Sequence, residues 1–135
     1  MMPARNTFAD WDILLVDDSI ESLNVLEIVL KHYGAVVHRA TQGAEALDVI
    51  TAVRPRLIIC DLAMPVMDGW DLITRLKQDP TLARTPIIVL TAHAQRGERE
   101  RALAAGYDAF FTKPITPGVF IEELLVMLHD FDAET

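Results

Sequence analysis

At 135 residues and 51% hydrophobic, the chain has material for the core of one domain and little room for a second. A net charge of −8 and a pI near 4.8 exclude a nucleic-acid or anionic-membrane surface, because either needs a basic patch. The single cysteine, Cys60, excludes an internal disulfide and suits a reducing, cytoplasmic compartment, and no apolar run approaches the roughly 18 residues of a membrane span.

Residues 1–10 carry no signal-peptide core and are expected to be a flexible arm ahead of a domain over 11–129, with 130–135 as a short tail. Ile13–Val16 is almost purely apolar, the mark of a strand buried on both faces. Asp17-Asp18 end it. Ser19 is placed to cap a helix whose apolar face is Leu23, Leu26, Ile28, Val29 and Leu30, and Gly34 stops that helix. Ala35–Arg39 alternates, as an edge strand does. Ala44, Ala46, Leu47 and Ile50 mark a second helix. Leu57–Cys60 is a second all-apolar strand, ending at Asp61. Asp68 caps a third helix bearing Trp70, Leu72, Ile73 and Leu76, with Pro80 beyond its end. Ile87–Leu90 is a third buried strand, ending in Thr91-Ala92. A fourth helix runs from Gln95 to Ala105 and stops at Gly106. Ala109–Phe111 is a short edge strand, followed by Lys113-Pro114. Thr116-Pro117 opens a fifth helix that buries Val119, Phe120, Leu124 and Leu128. The histidines show no zinc spacing; His32 and His129 fall near helix C-termini, where a cation is mildly favoured.

Five strands alternating with five helices define an α/β fold, (βα)5. Right-handed crossovers make it a doubly wound parallel sheet in a three-layer sandwich, with the flavodoxin-like strand order 2-1-3-4-5. Ligands in such folds sit at the carboxyl ends of the strands, between strands 1 and 3. Asp17, Asp18, Asp61, Thr91 and Lys113 all fall on that edge. Three carboxylates in one cleft require either a proton or a cation among them. Mg²⁺, with Mn²⁺ as a substitute, suits carboxylate oxygens and reaches toward a phosphate. With an ammonium and a hydroxyl added, the cleft is built to hold a phosphoryl group, and Asp61 is the central candidate nucleophile for an acyl phosphate.

On the segments ILLVDDS, LIICDLAMPVMDGWDL, PIIVLTAHA and AGYDAFFTKPI, the chain resembles the receiver domain of two-component response regulators from about Trp11 to Leu128. The resemblance implies that Asp61 accepts a phosphoryl group from a phosphohistidine of a histidine kinase or histidine phosphotransfer protein. It implies that Asp18 ligates Mg²⁺ directly, Asp17 largely through water, and Ala63 through its backbone carbonyl. Lys113 would bond the phosphoryl oxygens, Thr91 would swing its hydroxyl toward them, and Phe110 would turn into the space Thr91 vacates. The Lys113-Pro114 bond would be cis. The surface of the fourth helix, fifth strand and fifth helix would carry the output to a downstream protein. The alternating charges of Arg96 to Arg101 lie there, on a solvated helix face. Such a domain catalyses its own phosphorylation and dephosphorylation and is not an enzyme in the ordinary sense. It would be a single-domain regulator or a receiver excised from a hybrid kinase or larger regulator.

Two rival functions are disfavoured by residues. A small aspartyl-phosphate phosphatase commonly places an acid two residues after the nucleophile, where this chain has Ala63. A flavodoxin-type electron carrier needs a Ser/Thr/Gly-rich phosphate loop where this chain has Asp17-Asp18-Ser19-Ile20-Glu21. Among the remaining residues, Cys60 reads as a buried inert thiol, Asp68 as a helix cap, and Met64-Pro65 as loop shape without chemistry. His93 stands near the mouth, either as a plain loop residue or as one that tunes access to the phosphoryl group.

Overall fold

A computed structural model of the chain describes residues 4–62, 68–92 and 94–134, with side chains to 131. The elements follow in strict alternation: β1 Asp12–Val16, α1 Ile20–His32, β2 Val36–Ala40, α2 Gly43–Val53, β3 Leu57–Cys60, α3 Gly69–Gln78, β4 Ile87–Thr91, α4 Glu98–Ala105, β5 Ala109–Thr112 and α5 Pro117–Glu134. All strand pairs are parallel and the order is β2-β1-β3-β4-β5. The purely apolar runs are the three central strands, and β3 and β4 are buried at every position. The two alternating or short runs are the edges, as their composition requires.

Because side chains alternate along a strand, the sheet splits the core in two. Leu14, Val16, Ile58, Cys60 and Val89 meet α2, α3 and α4 on one face. Ile13, Leu15, Ile59, Ile88 and Leu90 meet α1 and α5 on the other. Burying these side chains supplies the main stabilisation, at about 25 cal/mol per Å² of apolar surface.

Local signals set the helix ends. The Ser19 side chain accepts from the Ser22 amide, and Asp68 accepts from the amides of Trp70 and Asp71 at 3.0 Å each. Gly106 closes α4 with φ +119°, a conformation that costs glycine little. Thr116 accepts the Phe120 amide at 2.8 Å ahead of Pro117.

The structure departs from the sequence expectations in four places. The expected flexible arm is docked over its described part: Phe8 is fully buried, its amide bonds the Tyr33 carbonyl at 2.8 Å, and its ring packs on Trp11. The expected tail at 130–135 is helical through Glu134, so α5 continues past His129. α4 begins at Glu98, not Gln95, behind Gly97 at φ +79°. Ile28 and Val119 point outward, 71% and 50% exposed, because Leu23, Leu26 and Leu30 in α1 and Phe120, Ile121 and Leu124 in α5 hold the inward positions.

Candidate functional site

Strand register brings the acids together. Val16 pairs with Cys60, so Asp17 and Asp61 leave the sheet at the same level, and their amides bond Ala40 and Val16 carbonyls at 3.0 and 2.9 Å. Asp17 is 3% exposed and Asp61 8%, while Asp18 stands at the rim, exposed. One carboxylate oxygen from each of the three lies within 4.8 Å of the others. Purely carboxylate oxygens at this spacing, partly buried and open on the Asp18 side, fit a hard divalent cation such as Mg²⁺, which needs few protein ligands and keeps waters. Ala63, whose carbonyl is the fourth expected ligand, and His93, at the expected mouth, lie outside the described residues.

Lys113 enters the cleft from the segment after β5, across a cis bond to Pro114. Its Nζ donates to Asp17 Oδ2 at 2.6 Å and to Asp61 Oδ2 at 3.3 Å. Burial pulls the Lys113 pKa down, but the bond to Asp17 and the charges of Asp17 and Asp61 outweigh it, so the ammonium is held above its ordinary value. Asp17 moves up as well. Its burial outweighs the bonds it accepts from Lys113 and from the Ser19 amide at 2.9 Å, so the fold presses toward its neutral form. A cleft that resists holding its own negative charge is one that gains from an added cation.

Thr91 ends β4, 2% exposed, and its carbonyl accepts the Lys113 amide at 2.9 Å. That bond ties the hydroxyl-bearing strand end to the lysine. Ala92 follows, exposed. Phe110, paired with Val89, is 8% exposed and packs into the core on the α2–α4 side. Phe111 points the other way and meets Phe120 edge-on at 5.3 Å. Both rings of the aromatic pair therefore have partners.

Behind Asp61 lies a buried tie that the sequence did not reveal. The Tyr107 hydroxyl donates to the Gly69 carbonyl at 2.6 Å, and the Gly69 amide donates to the Leu62 carbonyl at 3.0 Å. A Cβ on Gly69 would stand 2.9 Å from Leu62 Cα and 3.0 Å from the Asp61 carbonyl oxygen, so only glycine permits α3 to press on the Asp61 strand end. Cys60, beside Tyr107, is fully buried, and that burial pushes its thiol up to about 12. It is inert at neutral pH, as its place at the end of an apolar run implies.

The response regulator receiver domain profile matches residues 13–125. The chain is 40% identical over 111 residues to an uncharacterized 14.6 kDa protein in the sodA1 3′ region of Leptolyngbya boryana, covering 82% of this chain and 85% of that one. It is 32% identical over 118 residues to the polar-differentiation response regulator DivK of Brucella anthropi, covering 87% and 96%. The solved signal receiver domain of a signal transduction histidine kinase from Syntrophus aciditrophicus matches with a TM-score of 0.79 at 34% identity, covering 89% and 91%. Among the described residues, no helix is long and apolar enough to cross a membrane.

Proposed function

The chain belongs to the response regulator receiver family, and from that premise we propose that it is a phosphorylation-driven signalling switch with Asp61 as phosphoacceptor. The observation that carries this reading is the contact of one lysine ammonium with two carboxylates on the edge of the sheet where such folds bind ligands. In the proposed reaction the Asp61 carboxylate attacks the phosphorus of a partner's phosphohistidine. The P–N bond breaks as the P–O bond forms, leaving an acyl phosphate on Asp61; the departing nitrogen keeps the bonding pair, and the proton carried on the other ring nitrogen leaves the donor histidine neutral. Lys113 then has phosphoryl oxygens within reach in place of the Asp61 carboxylate. The Thr91 hydroxyl donates to the same group, and Phe110 takes the room that Thr91 leaves. Asp17, Asp18 and Asp61 would hold Mg²⁺ or Mn²⁺, which when bound neutralises charge on the phosphoryl oxygens.

The donor, a histidine kinase or phosphotransfer protein, has an apolar landing beside the cleft. Ile20 and Val25 of α1 are 55% and 50% exposed, and Val25 shares a groove with Lys113, Pro114 and Ile115. The output leaves by α4, β5 and α5, because Phe110 connects the cleft to β5. The new charge of roughly −1.5 to −2 shifts the population between two arrangements of that face. Phosphoryl transfer and its hydrolysis are the only chemistry assigned, so the protein is a switch and not a turnover enzyme.

Trp70 tests this directly. It is the second residue of α3, anchored by the Asp68 cap, whereas Trp11 sits at the opposite end of the sheet under Arg56, 3.9 Å from its ring. In a Trp11→Phe background, beryllofluoride with Mg²⁺ should change Trp70 fluorescence. The same addition to Asp61→Asn should leave it unchanged; an equal change in both refutes Asp61 as acceptor.

A further inference from the structure

A groove lies away from the acidic cleft, along the outer side of α5 beside edge strand β5. Its volume is about 630 Å³. Its apolar lining comes from Phe111 of β5 and from Val126, Met127 and Phe131 of α5. Val126 is 64% exposed, an unusual position for a valine in a helix that already has a full inward face. Val119, 50% exposed, lies two turns earlier on the same side and lines the adjoining groove, which shares Phe111 and Glu123 with the first. An i, i+7 apolar pair is the seam that a second helix packs against.

Charge selects the occupant. Asp108, Glu122, Glu123 and Asp130 line the larger groove, and among the described residues no lysine or arginine lines either groove. A second copy of this chain would bring the same acids against themselves, and an acidic helix would do likewise. A cationic helix would place its basic side chains over these carboxylates and its apolar stripe on Val119, Val126 and Met127. From Val119 to Phe131 the wall is about 18 Å long, which accommodates three to four turns of a partner helix.

We propose that this groove is the docking site for a basic amphipathic helix of a partner protein. The proposal deepens the reading of α4, β5 and α5 as the output face and rests on it: it names the chemistry of what that face binds.

The test uses three labelled peptides of about fifteen residues, read by fluorescence anisotropy against the full chain. The first sets leucines on one helical face and lysines on the other. The second scrambles the same composition, and the third replaces lysine by glutamate. The first should bind tightest, and more weakly as salt rises. Glu122→Lys and Asp130→Lys should each weaken it roughly fivefold and Val126→Asp roughly tenfold, while Asp48→Lys on α2 changes nothing. Equal binding of the scrambled peptide, or equal loss in Asp48→Lys, would show bulk charge attraction and overturn the proposal. Preference for the acidic peptide, or self-association through Val126, would overturn it in favour of another occupant. Beryllofluoride separates the two claims. If it moves Trp70 fluorescence and the basic peptide still fails to bind, the groove proposal falls and the switch stands. If the peptide binds with an affinity that beryllofluoride leaves unchanged, the groove proposal stands and the gating of this face falls.

Discussion

Gly69 and Tyr107 give the sharpest stability prediction, because the geometry supplies the magnitude. In Gly69→Ala the new Cβ would sit 2.9 Å from Leu62 Cα, 2.9 Å from the Tyr107 hydroxyl and 3.0 Å from the Asp61 carbonyl oxygen. Two of those atoms are backbone, so α3 must retreat from the strand end, at a cost of about 1–3 kcal/mol. Folded chains gain about 2.1 cal/mol/K of unfolding entropy per residue, so 2 kcal/mol in a chain of 135 residues lowers Tm by about 7 °C. Tyr107→Phe removes the 2.6 Å bond to the Gly69 carbonyl and should cost about 1–2 kcal/mol. The two changes should not add. Without its hydroxyl, Tyr107 no longer contributes one of the three close contacts, so the double variant should be more stable than the sum by about 0.5–1 kcal/mol. Thermal unfolding of the four proteins, followed by far-UV circular dichroism, measures the cycle. A Gly69→Ala Tm within about 1 °C of wild type would refute the claim that α3 is wedged against Asp61. So would strict additivity.

Removing the Asp68 cap in Asp68→Ala orphans the Trp70 and Asp71 amides and should cost about 1 kcal/mol, seen as a lowered denaturation midpoint with unchanged slope. Lys113→Ala should act in two directions. It removes the ammonium bound to Asp17 and Asp61, so Mg²⁺, titrated against Trp70 fluorescence, should bind several-fold tighter, while beryllofluoride should be held at least tenfold more weakly; weaker Mg²⁺ binding would contradict the competition. High pH should destabilise the fold. Burial raises the Cys60 thiol from 9.0 to about 12, so the stability tied to its neutral form is whole below about pH 9 and is lost as pH climbs toward 12. Tyr107, raised for the same reason, acts in the same sense. The urea midpoint should fall across this range and fall less steeply in Cys60→Ala; identical slopes would remove Cys60 from the account.

Much of this was legible because burial writes itself into sequence. β1, β3 and β4 are covered on both sides, so their residues are apolar without alternation, and the acids that end β1 and β3 stand out against them. The capping roles of Ser19 and Asp68 and the turn of Gly106 are local chemistry. The opaque features depend on distant partners. Phe8 belongs to no apolar run or helical stripe, and only the space beside Tyr33 and Trp11 makes it core. Tyr107 reaches Gly69 across 38 positions, with no pattern linking them. Ile28 and Val119 belong to apolar runs wide enough to cover more than one helix face, and only the packed neighbours decide which member is left outside. The strand-end residues that meet in the cleft were therefore legible, and the contacts behind them were not.

The most direct test of the central claim is to trap the acyl phosphate itself. The full chain is incubated with acetyl phosphate and Mg²⁺, reduced with borohydride, digested, and the converted residue located by tandem mass spectrometry. The account predicts conversion at Asp61 alone, abolished by chelating the metal. Conversion at Asp17 or Asp18, or none at all in a folded chain, would contradict it.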